Sequence, residues 1–182
     1  MREEVEFSRS TEAIMIPSGE RVLVPKGAQG TITQSLGGTY TLITDRGLMV
    51  RISGREVEAI GKTPQDVPDV EPSELSPEKL EELIWDALKT CYDPEIPVNI
   101  VDLGLVYLCE LQESEEGGKN VHIKMTLTAP GCGMGPVLAG DVKSKVEALP
   151  GIRTAEVEVV FDPVWDRSMM SDAAKLQLGM MW

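Results

Sequence analysis

The sequence predicts an α+β chain: a small N-terminal SH3-like β-barrel, a Pro-rich linker, and a compact α/β domain ordered helix, strand, strand, helix, strand. Three observations predict it. Short apolar runs between Ala13 and Ile60 are broken by turn residues at intervals of about 8–12, the spacing of a small antiparallel sheet or barrel. Residues 62–74 carry Pro64, Pro68 and Pro72 among acidic side chains, a composition that stays extended and packs little. From Ser76 onward the apolar spacing becomes helical and then two-residue periodic. The expected divisions are therefore 1–61, 62–74 and 75–182.

In the first part, the apolar segments are Ala13–Ile16, Val22–Val24, Gly30–Thr33, Tyr40–Thr44 and Leu48–Ile52. They are separated by Pro17-Ser18-Gly19, Pro25-Lys26-Gly27, Gly37-Gly38 and Asp45-Arg46-Gly47, residues that favour tight turns. No constellation of reactive side chains falls among them, and Tyr40 and Thr41 read as strand residues.

In the second part, Ser76 is placed as an N-cap with Pro77 at the first helical position and Glu78 favourable to the N-terminal dipole. Leu80, Leu83, Ile84, Ala87, Leu88 and Cys91 then form one apolar face. A turn at Asp93-Pro94-Glu95-Ile96-Pro97 leads to a strand at Leu105–Leu111. The Gly117-Gly118 loop returns the chain as a hairpin into Val121–Thr128. There Val121, Ile123, Met125 and Leu127 alternate with His122, Lys124, Thr126 and Thr128, the pattern of a half-exposed strand. A helix at Pro136–Ala148 buries Val137, Leu138, Val142, Val146 and Leu149 and stops at Pro150-Gly151. A third strand is expected at Ala155–Phe161, and Ser171 N-caps a last short helix.

Charge narrows the function classes. The 182-residue chain has 17 Lys and Arg against 30 Asp and Glu, a net charge of −13 that repels phosphate backbones and anionic lipid. Neither a nucleic-acid nor a membrane partner is expected. The first residues, Met-Arg-Glu-Glu-Val-Glu, lack the apolar core of a secretory signal, and the uncharged stretch Met125–Gly140 is broken by Gly and Pro. Three cysteines, Cys91, Cys109 and Cys132, without paired spacing suit a reducing compartment, so the cytoplasm is the expected location.

The chemistry concentrates in Thr128-Ala129-Pro130-Gly131-Cys132-Gly133-Met134-Gly135-Pro136, where a strand gives way to a helix. Glycines around Cys132 leave the thiol accessible, and Pro136 at the helix's first position puts it near a helix N-terminus. The partial positive charge there lowers a thiol pKa below its free value of about 8.5, which suits a nucleophile or a soft-metal ligand. The bland reading is a tight turn with a small space-filling Cys. Cys91 on the helix stripe and Cys109 in a strand read as core. No CxxC pair is present, and three thiols cannot supply four cluster ligands, so a bound metal would need ligands from elsewhere.

Counting tests other templates. The cysteine phosphatase pattern needs Arg at 138, which is Leu. A triad needs a histidine base, and the one histidine, His122, lies on a strand face beside Lys124. Position 136, where a dinucleotide motif needs its third glycine, is Pro, and no phosphate-loop Lys-Ser/Thr follows. The carboxylates of Asp93, Glu95 and Asp102 read in two ways: as turn and cap acceptors, or as groups that bond the Cys132 loop or complete a metal shell.

Asp93-Pro94-Glu95-Ile96-Pro97, Asp102-Leu103-Gly104-Leu105-Val106 and Thr126-Leu127-Thr128-Ala129-Pro130-Gly131-Cys132 together resemble the small α/β domain of iron-sulfur cluster assembly proteins. Cys132-Gly133-Met134-Gly135-Pro136 and the ending Ser171–Met180 are similar to the SufT branch. The N-terminal Pro25-Lys26-Gly27 and Leu36-Gly37-Gly38-Thr39-Tyr40 also look SufT-like, and Gly133 stands where small single-domain relatives usually carry Pro.

The resemblance implies a non-enzymatic accessory role in iron-sulfur protein maturation. Cys132 would be the functional thiol and candidate cluster ligand, supported by Asp93, Glu95, Asp102, Thr128, Gly131 and Gly133. It implies a transient iron-sulfur cluster, shared with a second subunit or a client, and assembly proteins and apo-clients as partners, with a homodimer left open. Two other readings stand beside it: a non-catalytic subunit of an aromatic-thioester oxygenase complex, and a thiol enzyme acting on small molecules. Met134, Met169, Met170, Met180 and Met181, with Trp165 and Trp182, suggest a soft client-docking surface or, equally, a core or oligomer contact.

Overall fold

The structure, a computed structural model, describes residues 2–65, 70–93 and 96–180. The chain divides into two compact units, Met1–Asp66 and Val67–Trp182.

The first unit is one antiparallel sheet of six strands: β1 (Glu3–Glu6), β2 (Thr11–Met15), β3 (Arg21–Val24), β4 (Gln29–Leu36), β5 (Thr39–Thr44) and β6 (Met49–Ile52). Their order is β1-β4-β5-β6-β2-β3. Alternation puts Ala13, Val24, Ile32, Leu42, Val50 and Ile52 on one face, where they enclose Phe7. The 3-10 turn Val57–Ile60 adds Val57 and Ile60 to this core, and its Ala59 carbonyl accepts the Ser8 amide at 2.8 Å.

The antiparallel sheet is as the turn spacing predicts, but the ladder does not close into the expected barrel. Among the described residues β1 pairs with β4 and β3 with β2, and nothing pairs β1 with β3. Phe7 instead exchanges backbone hydrogen bonds with Gly27 and Ala28, so the chain leaving β1 is tied to the turn before β4. Of the expected linker, Asp66–Asp69 lie outside the described residues. Pro72–Glu74 is not extended but forms a 3-10 turn, with the Glu74 amide on the Glu71 carbonyl at 2.9 Å.

The second unit has the predicted element order. Helix α1 (Pro77–Leu88) starts as expected, the Ser76 side chain accepting the Lys79 amide at 3.2 Å. An irregular but buried segment carrying Val98, Ile100, Leu103 and Leu105 leads into β7 (Val106–Glu113), which forms an antiparallel hairpin with β8 (Lys119–Met125). Helix α2 (Gly135–Glu147) crosses over to β9 (Ile152–Val159), parallel to β8. This gives a three-stranded sheet in the order β7-β8-β9.

Leu80, Ile84 and Leu88 of α1, Leu138, Val142 and Val146 of α2, and Val121, Ile123 and Met125 of β8 form one cluster. Each such side chain is worth about 1.5–3 kcal/mol on burial. Lys145 of α2 donates to the Thr90 carbonyl at 2.7 Å, binding the two helices at the C-terminal end of α1. A last helix, α3 (Asp172–Gln177), is capped by Ser171, whose side chain accepts the Ala174 amide.

Three details depart from the alternation read in the sequence. Thr126, expected on the open face, is buried, because the chain beyond Met125 turns inward and pairs its amide with the Leu105 carbonyl at 2.8 Å. Val137 is only half-buried. Phe161 lies beyond the end of β9 and is exposed, since the strand stops before its side chain reaches the core.

Candidate functional site

The loop between β8 and α2 is built to stop a strand and start a helix within a few residues. Gly131 has φ 79°, and a Cβ there would meet nothing within 4 Å, so the chain reverses at an open position. The Gly135 amide then bonds the Cys132 carbonyl at 3.1 Å, and Leu138 bonds Met134 at 2.9 Å as α2 begins. A Cβ on Gly135 would stand 2.6 Å from Leu127 Cδ1, so glycine lets the start of the helix press against the end of the β8 segment. The helix begins one residue earlier than expected, at Gly135, so Pro136 takes its second position, still within the first turn.

Cys132 is half-buried between exposed Gly131 and Gly133. Its side chain packs against the edge of the apolar cluster, so the thiol is partly accessible rather than fully lifted into solvent. Cys91 is buried in that cluster, and Cys109 is half-buried on β7 opposite Ile123. Burial, reinforced by the charge of Glu81 on α1, pushes the Cys109 thiol up to about 11. The three thiols thus occupy three different environments.

The carboxylates separate. Asp93 is buried; one of its oxygens accepts the Ile96 amide at 3.0 Å, closing its own turn, and the other accepts the Thr128 hydroxyl at 3.3 Å. It is therefore both a turn former and a tie to the Cys132 loop. Asp102 bonds elsewhere: it accepts Asn99 Nδ2 at 2.6 Å and Ser171 Oγ at 3.0 Å, while its carbonyl accepts the Ser171 amide at 2.7 Å. Its bonds fasten the cap of α3. Glu95 lies outside the described residues. His122 faces Glu158 at 3.5 Å on the sheet, away from the thiol chemistry proposed from sequence.

Sequence reasoning missed the C-terminal strap around this region. Trp165 Nε1 donates to the Leu103 carbonyl at 2.7 Å and the Tyr107 hydroxyl to the Pro163 carbonyl at 2.8 Å. Gly104, at φ 75°, lets the Met169 carbonyl approach where any Cβ would collide with it. Of the two readings of the methionines, docking surface or core contact, the described ones mostly take the second. Met134 and Met170 are buried, Met169 is half-buried, and Met180 packs on the core; Met181 and Trp182 lie outside the described residues. The buried thioethers of Met134 and Met170 fill gaps in the core.

Among the described residues, no three His, Cys, Asp or Glu side chains are placed to hold a metal ion. The candidate site is a single half-buried thiol in a glycine loop at the entry of a crossover helix, a loop whose Thr128 bonds the buried Asp93.

That combination defines a class of small α/β domain that presents one cysteine from a strand-to-helix loop. A sequence profile described as "Iron-sulfur cluster assembly protein" matches residues 81–159, which span α1 to β9 and contain Asp93, Thr128 and Cys132. The chain is similar to an Fe-S protein maturation auxiliary factor of Porphyromonas gingivalis, 43% identical over 99 residues, covering 54% of this chain and 90% of that protein. It is similar to the Fe-S protein maturation auxiliary factor YitW of Bacillus subtilis, 43% identical over 102 residues, 56% of this chain and 96% of that one. It is also similar to the Fe-S protein maturation auxiliary factor SufT of Staphylococcus aureus, 44% identical over 87 residues, 48% of this chain and 94% of that one. The chain belongs to the iron-sulfur cluster assembly protein family. The N-terminal sheet lies outside the residues that the family profile matches.

Proposed function

We propose that this chain is a non-enzymatic accessory factor in the maturation of iron-sulfur proteins, with Cys132 as its working thiol. The names of the similar proteins support the role. The observation that carries the assignment of the residue is the loop itself, which keeps Cys132 partly open while Cys91 is enclosed and Cys109 is held protonated by burial.

In this reading the cluster is cargo. Thiolates ligate iron in iron-sulfur clusters. One thiol contributes one ligand, and the others come from a client protein, an assembly partner or a second copy of this chain. A single ligand is readily exchanged, which favours transfer over storage. The buried Asp93, through Thr128, holds the loop in register with the turn after α1, and Gly131 and Gly133 keep bulk away from the sulfur. Asp102 acts at a distance, by anchoring α3. The six-stranded N-terminal sheet is a separate compact unit that accompanies the maturation domain. The absence from the described residues of a helix long and apolar enough to cross a membrane is compatible with work in the cytoplasm.

The test is anaerobic incubation of the full chain with iron, sulfide and an apo-client, for the wild type and Cys132→Ser. The variant is expected to keep its circular dichroism and lose client activation. Full activation by Cys132→Ser would overturn the assignment.

A further inference from the structure

β9 forms one free edge of the three-stranded sheet. The Val160 amide bonds inward to the Met125 carbonyl of the β8 strand at 2.8 Å. Successive backbone groups in a strand alternate in direction, so the amides and carbonyls of Ala155 and Val157 point to the free side. An edge of this kind is a template for another strand. Beside it runs an open groove of about 460 Å³, lined by the small residues Ala139, Gly140 and Ala155 and by Lys143.

Two side chains of α2 cross to this edge. Lys143 Nζ donates to the Ala155 carbonyl at 3.0 Å, and Glu147 Oε1 accepts the Ala155 amide at 3.0 Å. The same Glu147 oxygen accepts the Thr154 hydroxyl at 3.3 Å and pairs with Lys143 at 3.4 Å. An ammonium and a carboxylate thus take the positions that the amide and carbonyl of a neighbouring strand would occupy. The Ala155 amide is also the largest influence holding the Glu147 carboxyl below its ordinary range.

We propose that Lys143 and Glu147 form a latch that closes the β9 edge to strand pairing with a second copy of this chain. One helical turn separates the two residues, so a single face of α2 spans one residue of the edge and satisfies both of its outward groups. The groove alongside leaves room for an incoming strand, and the latch denies that strand its central pair of hydrogen bonds.

The experiment compares the full wild-type chain with Lys143→Ala/Glu147→Ala by sedimentation across a concentration series and by amide hydrogen exchange. The double variant is expected to form a concentration-dependent species larger than the wild type. At low concentration its Ala155 amide exchanges about tenfold faster, the order expected for loss of one hydrogen bond. In the larger species the Val157 amide gains protection. Unchanged mass, unchanged Ala155 exchange, or a larger species without protection at Val157 each overturns the proposal. Lys143→Met/Glu147→Gln, which keeps side-chain size and helix propensity, replaces the alanine variant if that one loses its native circular dichroism.

Discussion

The Thr128 hydroxyl donates to the Asp93 carboxylate at 3.3 Å, joining two turns 35 residues apart in sequence. One leaves α1; the other carries Cys132. Thr128→Val keeps the shape of the side chain and removes the donor. It is expected to lower stability by about 1 kcal/mol and to reduce client activation while Cys132 is still present. Urea unfolding and the activation assay check both, and unchanged activity would separate this bond from the function of the thiol.

Thiol labelling should follow the three environments. With Cys109 pushed up to about 11, roughly one Cys109 in a thousand is a thiolate at pH 8. A brief exposure of the native protein to iodoacetamide is expected to place the first label on Cys132, with Cys91 unlabelled until the chain unfolds. Cys109 labelling should rise as pH climbs towards about 11. Peptide mass spectrometry reads the order, and first labelling at Cys109 contradicts it.

Gly104 holds the strap down. Gly104→Ala places a Cβ against the Met169 carbonyl at a positive φ, and the expected cost is about 2 kcal/mol or more. A fall in thermal midpoint with a change in Trp165 fluorescence would show the tail lifting; a midpoint equal to the wild type would mean the contact is slack.

Glu147 sets a pH dependence. Its folded carboxyl is held below the ordinary value of 4.5, first by the Ala155 amide and then by Lys143. A group depressed on folding stabilises above its unfolded pKa, and that contribution disappears as pH falls through the folded value. The stability advantage of the wild type over Glu147→Gln is therefore expected to be full at pH 7 and to shrink below about pH 4.5. Denaturant titrations across that range measure it.

Much of the second unit could be read from local chemistry. Ser76-Pro77 and the apolar stripe announce α1, and the glycine loop announces a strand-to-helix passage, because caps, turns and periodicity act over a few residues. β1 could not be read this way. Glu3–Glu6 contains one apolar residue, and its place is set by pairing Val5 with Gly30 and by the Lys62–Glu3 ion pair at 2.7 Å. Barrel closure was likewise a question of which distant edges meet. The bond between Asp102 and Ser171 links positions 69 residues apart, so each could be recognised as a capping type while their partnership stayed hidden. For Asp93, sequence offered a turn former or a partner of the Cys132 loop, and one side chain does both through its two oxygens.

The strap also bears on how this protein can be cut. The family profile begins inside α1 and ends on the last residue of β9, yet Met170 and Ala174 beyond it are buried in the same cluster as Leu103 and Leu105. A fragment trimmed to the profile would start without the Ser76 cap and would bare an apolar floor that residues 160–180 normally cover. The compact unit extends beyond the profile at both ends, and expression of the second unit alone should carry the chain through Met180.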